Sequence, residues 1–419
     1  MRKFLEIFGL ETKAFVRSKA LMMLLVASIG WMLVFPLLAK GDGTAAGARE
    51  LCIRYSLGGV FLLLVVSLLA AATGSLARER AAKRLQLTLI RPVRYAVVVL
   101  AKIAAHVAVG AVVLAAACAV LALKTDLSVP CSHVLSPVLP SPREEARAMY
   151  EEYMKDPETP EAVKRTKKEI VLRLLENRAI DHYQVVPTNT TAEWTFPCLP
   201  SDDRSVAVRM RFSAQYDTRQ DVRGRFDFGP WRAVVTNITQ AVVTIPLSPS
   251  RPLTLSSSHL LTFANFGSSA LMLRPRKDLN VLVEADAFGW NLLRACAALV
   301  AILALVVSFG LFLSAGLGRP VAVFVAFVTL AVSEMSPSVV EQYPDELETN
   351  LVDRIGLHIT RFAAAATRPV SAASPIEALS KDECVERGAV LRLFLADAFA
   401  VPLLLSLLAA FALPRKQDF

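Results

Sequence analysis

Residues 75–94 read Ser-Leu-Ala-Arg-Glu-Arg-Ala-Ala-Lys-Arg-Leu-Gln-Leu-Thr-Leu-Ile-Arg-Pro-Val-Arg. The stretch sets Arg78, Arg80, Lys83, Arg84, Arg91 and Arg94 against a single acid, Glu79, and lies between two long apolar runs. A segment so charged does not cross hydrocarbon, whereas its neighbours at 57–74 and 95–122 can. The spacing therefore predicts a loop at the cytoplasmic ends of two membrane spans. Leu85, Leu89 and the Pro92-Val93 turn give that loop an apolar side to rest on the membrane face.

Composition agrees with a membrane chain. Of 419 residues, 54% are hydrophobic and only 20% charged, and the formal net charge is +9. That balance is unlike a soluble globular protein. The basic excess is concentrated beside apolar runs: residues 1–20 carry +3 and 75–94 carry +5, while 334–397 carry −5. This is the positive-inside pattern, and it explains the basicity better than a nucleic-acid partner would.

From these two features the rest of the chain follows in order. Residues 1–19 place Phe4, Phe8 and Phe15 against Lys3, Glu6, Lys13 and Arg17, which predicts an amphipathic helix in the interface. A signal peptide is the rival reading, but Glu6 and Glu11 in the leader and the poor cleavage site Ala39-Lys40-Gly41 favour an uncleaved anchor. Spans are predicted at 20–38, 57–74, 95–122, 288–315, 320–335 and 389–413. An inner turn at Gly316-Leu317-Gly318-Arg319-Pro320 separates the fourth from the fifth. An even number of spans returns both termini to the cytoplasm, where Arg415 and Lys416 belong.

Between the third and fourth spans, 124–287 is predicted to be an extracytoplasmic domain. Its first part, 141–180, is rich in helix formers, with Pro157 and Pro160 dividing two helical runs. Beyond 181, runs such as Val206–Phe212, Ala233–Ile238, Ala241–Ile245 and Leu279–Val283 alternate between turn residues, as strands of a β-sandwich do. In the second external segment, 336–388, Leu351, Val352, Ile355, Ile359, Phe362, Ala363 and Ala366 recur at helical spacing. That helix lies either on the membrane face or against the β domain. The fold class is thus a membrane protein: an all-α six-helix transmembrane domain with an inserted extracytoplasmic α+β domain. Its domains are 1–19, 20–123, 124–287, 288–335, 336–388 and 389–419.

Polar groups at membrane depth normally have partners. Lys102 and His106 lie one turn apart near the start of the third span; Lys102 can snorkel, and His106 hydrogen-bonds a neighbouring helix or moves a proton. Arg294 and Asp397 sit at similar depths in the fourth and sixth spans, so an ion pair between them is expected. Cys52, Cys131, Cys198 and Cys384 fall on the outer side, where an oxidising periplasm permits a Cys131–Cys198 bridge among three ways of pairing four cysteines. Trp194 and Trp231 are either sandwich core or a sugar platform, and Trp290 a belt anchor. No G-x-x-x-x-G-K-[ST], G-x-S-x-G or clustered Cys/His spacing occurs, so no catalytic residue, cofactor or metal is expected in this chain.

Arg78-Glu79-Arg80, then Leu85 and Leu87, Pro92-Val93 and Lys102 resemble the cytoplasmic loop of ABC-2 type transporter permeases. The N-terminal helix resembles that family's elbow helix, and Leu313-Ser314-Ala315 followed by Arg319 its second cytoplasmic turn. The resemblance covers 1–123 and 288–419; the large external domain departs from the common pattern. It implies a permease subunit of an ATP-binding cassette exporter in the bacterial inner membrane. The implied partners are an ABC ATPase subunit, a second permease and membrane lipid. Arg78, Glu79, Arg80, Lys83, Arg84 and Arg91 would form the ATPase-coupling helix. The alternative is a non-transporting anchor that displays a periplasmic β-sandwich.

Overall fold

The computed structural model describes residues 2–17, 19–38, 45–81, 94–139, 142–156, 166, 168–197, 205–214, 221–228, 231–238, 242–247, 258–273, 278–342 and 374–412. The chain divides into two compact units, 1–130 with 286–419 and 131–285.

The first unit is helical. Its elements are α1 (Arg2–Val16), α2 (Lys19–Leu38), α3 (Ala45–Leu51) running through a π-helical stretch Cys52–Leu57 into α4 (Gly58–Ala81), and α5 (Tyr95–Lys124). After the insertion come α8 (Phe288–Gly316), α9 (Arg319–Gln342), α10 (Pro375–Ser380) and α11 (Arg387–Leu393). A second π stretch, Phe394–Ala400, then leads into α12 (Val401–Ala412). Among the described residues four helices are long and apolar enough to cross a membrane: Gly47–Glu79, Tyr95–Lys124, Phe288–Gly316 and Arg387–Phe411. Helices also occupy the places of the expected first and fifth spans, but their apolar stretches, Val26–Phe35 and Arg319–Ala331, are shorter.

The helix expected at 57–74 is much longer, and Ser75–Ala81 continue it instead of opening a separate loop. The reason is local: from Leu76 to Ile90 there is no Gly or Pro, and Ala, Arg, Glu and Leu favour helix. Helix α5 is also longer than hydrocarbon requires. Thirty residues give about 45 Å of helix against roughly 30 Å of hydrocarbon, which leaves polar residues near its ends.

The centre of this unit is α8. Ala295, Leu299, Leu303, Val307, Leu311 and Ala315 recur every four residues and are all enclosed. Helix α4 comes close enough that a Cβ built on Gly310 would meet Leu69 Cδ1 at 3.0 Å and Ala72 Cβ at 3.1 Å. Small residues at such a crossing let backbones approach where lipid supplies no hydrophobic drive.

Among the described residues the second unit holds two helices and the sheets. Helices α6 (Pro142–Lys155) and α7 (Lys168–Gln184) pack through Ala146, Val171 and Leu175. Among the described residues the strands are β1 (Pro130–Leu135), β2 (Val185–Val186), β3 (Thr191–Pro197), β4 (Val206–Arg211), β5 (Ser213–Ala214), β6 (Asp221–Phe228), β7 (Trp231–Ile238), β8 (Val242–Leu247), β9 (Ser258–Asn265), β10 (Leu271–Met272) and β11 (Leu279–Ala287). Two four-stranded sheets, β1-β11-β4-β8 and β3-β9-β6-β7, share one core, and a small sheet β2-β10-β5 completes the set. Trp194, Phe196, Phe226, Phe228 and Phe263 enter that core from one sheet, and Val208, Met210 and Val281 from the other. Strand β4 buries alternate residues, the period-two pattern of a half-buried strand. Trp194 is therefore core. Gly224 lies under the Phe263 ring, and a Cβ there would overlap it.

Candidate functional site

The site is built on three helices. The start of α5 carries Lys102 and His106; the last turns of α4 carry Ser75, Arg78 and Glu79; α1 carries Glu11 and Phe15. Lys102 is 1% exposed, yet its ammonium is fully engaged. It donates to Glu11 of α1, to Glu79 Oε1 at 2.7 Å and to Ser75 Oγ at 3.2 Å. An ammonium has three N–H donors, and here each has an acceptor. A buried charge left unpaired costs several kcal/mol, so the two carboxylates are what allow Lys102 to be enclosed.

His106, one turn further along α5, donates from Nδ1 to the Lys102 carbonyl at 2.7 Å. Its ring meets Phe15 edge-on, with centroids 4.4 Å apart. Glu11 and Phe15 are spaced four apart, as are Lys102 and His106, so α1 and α5 meet in register over one turn.

Beside this cluster, α8 and α9 approach α4. The backbone N–H of Ala77 donates to Ser314 Oγ at 3.0 Å, and Arg78 Nε donates to the Gly74 carbonyl at 2.9 Å. A Cβ on Gly74 would come within 3.2 Å of Arg319 Nε and 3.4 Å of Arg78 Nε. The absent side chain at Gly74 thus makes room for two guanidinium groups.

Four of the residues singled out from sequence, Arg78, Glu79, Lys102 and His106, are brought together. Glu11 was not anticipated as a partner, although its signal was present. It falls on the apolar stripe Phe4, Phe8, Phe15 of α1, three residues after Phe8 and four before Phe15. Lys83, Arg84 and Arg91, the side chain of Arg80, Cys198 and the expected helix at 351–366 lie outside the described residues.

Arg294 does not pair with Asp397. It donates to the Asp286 carboxylate and, through Nη1, to the Val385 carbonyl at 3.1 Å. Arg387 donates to the same Asp286 at 3.1 Å. The expectation compared depths along two helices and overlooked an acid just before the start of α8, nearer to Arg294 than Asp397 is in sequence. Asn291, buried on α8, donates to the Glu383 carbonyl and accepts from the Val385 N–H, each at 2.8 Å. Arg49 pairs with Asp382, which adopts a positive φ of 57°. Asp397 is 4% exposed on the π stretch Phe394–Ala400, and its Oδ2 has no hydrogen-bond partner among the described residues.

Cys131 and Cys384 are each disulfide-bonded, Cys198 lies outside the described residues, and Cys52, Cys118 and Cys296 are free thiols. Among the described residues no group of three or more His, Cys, Asp or Glu side chains could hold a metal ion. Comparison of the chain with protein-family models, curated proteins and solved structures finds no match.

Proposed function

We propose that the chain is the permease subunit of an ATP-binding cassette exporter, working with a separate ATPase and a second permease in a bacterial inner membrane. In this reading six spans form the transmembrane domain, both termini are cytoplasmic, and residues 75–94 receive the stroke of the ATPase. The observation that carries the reading is Lys102. A displacement of the basic segment acts first on the last two turns of α4, where Glu79 and Ser75 hold Lys102. From there it reaches α5 through Lys102 and α8 through Ser314. A charged segment anchored in this way moves three packed helices when it moves.

Purification of the complex from its native membrane tests the proposal. A co-purifying chain that hydrolyses ATP is the expected result. Its absence favours the second reading, an anchor for the β unit, which draws on the separate compact unit 131–285. Reversing charge at Arg80→Glu and Arg84→Glu is expected to uncouple hydrolysis from transport, and unchanged coupling removes the assignment of the segment.

A further inference from the structure

The Lys102 cluster contains one cation and two acids, and the acids come from different parts of the chain. Glu79 stands on α4, within the basic segment; Glu11 stands on α1, 91 residues before Lys102. Arg78 Nε is turned to the Gly74 carbonyl, and Arg319 packs at Gly74. On the α1 side, Glu11 has Lys102 as its ion-pair partner among the described residues. Helix α1 has no fully buried residue of its own and faces the bundle through Glu11 and Phe15.

We infer that Glu11 and Glu79 compete for the Lys102 ammonium, so that docking of α1 on the bundle is regulated by the position of the basic segment. When Glu79 is held against Lys102, the ammonium divides its attraction and α1 is held less firmly. When Glu79 is drawn away, the full charge falls to Glu11 and α1 is clamped. Coupling of this kind is reciprocal: clamping α1 also makes it easier to withdraw Glu79. Glu11 is thus a positioning residue that acts through Lys102. The inference rests on the proposed function only for what pulls on Glu79; the competition itself belongs to this chain alone.

Amide hydrogen exchange on the full chain in lipid nanodiscs, without any ATPase, is the test. The readout is the exchange of residues 2–16, with 288–316 as an internal control of folding. Glu11→Gln is expected to speed exchange in α1 by about tenfold, since it removes a largely buried ion pair. Glu79→Gln is expected to slow it, because the competitor is gone. This opposite sign is what a merely structural triad would not give. Exchange in α1 that is unchanged by Glu11→Gln, or not slowed by Glu79→Gln, overturns the inference. If Glu11→Gln disturbs the control helix, the reversed pair Glu11→Lys with Lys102→Glu, built on Glu79→Gln so that no second acid faces position 102, replaces it. Wild-type protection of α1 in that triple variant supports the ion pair, and lost protection in α1 alone refutes it. Failure to find an ATPase in the native membrane bears on the proposed function and leaves this result standing.

Discussion

Two charge clusters in the helical unit mirror each other. At one, a single cation, Lys102, is shared by two acids; at the other, a single acid, Asp286, is shared by two arginines. Their surroundings differ. The Lys102 side chain is 2% exposed, and that of Asp286 is 30% exposed. The same count of ion pairs therefore does different work. In an enclosed site, loss of the shared ion leaves its partners paying a desolvation cost, whereas at a half-open site water and salt replace what is lost.

The largest effect expected from this contrast is at Lys102. Lys102→Met keeps the length of the side chain and strands Glu11 and Glu79, so the helical unit should lose about 3–5 kcal/mol. Denaturant unfolding in detergent micelles measures it, and Lys102→Arg should restore part of the loss by keeping the charge. A loss below about 1 kcal/mol would place Lys102 in the same class as an exposed pair and erase the contrast.

Next in size is Asn291, which anchors the second cluster without any charge. Its amide spans Glu383 and Val385, next to the disulfide-bonded Cys384. Asn291→Ala leaves a carbonyl and an N–H unsatisfied beside α8, at about 1–3 kcal/mol. Hydrogen exchange at Val385 should rise while that of α5 stays as it was. If both rise together, the two clusters are one cooperative unit and the comparison between them fails.

The sequence made some of this legible. Four of the six expected spans stood out because hydrocarbon imposes length and apolarity on a helix, and the strands because a half-buried sheet imposes a period of two. The Lys102–His106 pair stood out because charge at membrane depth is rare. The partners were harder to see. Nothing in the spacing of the basic loop pairs Glu79 with Lys102, 23 residues on and on another helix. Glu11 looked like an ordinary charge of an amphipathic helix, although its place on the Phe stripe marked it as facing the bundle. Arg294 was matched to Asp397 by depth alone, which ignored Asp286. Periodicity fixes which face of a helix a residue occupies; it does not fix which of several opposite charges comes to meet it.

The smallest effect sharpens the comparison most, because it depends on pH and salt. Burial by itself would push the Asp286 carboxyl up, but the bonds from Arg387 and Arg294 override it and hold the group below the ordinary carboxylate range. A carboxyl depressed in the folded state stabilises that state above its unfolded value, near pH 4, and the contribution is lost as pH falls through the folded value. Since the site is half open, the contribution should be within about 1 kcal/mol and should shrink in high salt. Asp286→Asn should therefore flatten the acid limb of the stability curve at low ionic strength and change little at high ionic strength. The Lys102 cluster, whose shared ammonium is buried, should keep more of its contribution at high salt. If salt weakens the two clusters equally, burial is not what separates them, and Lys102 loses its claim to carry force between helices.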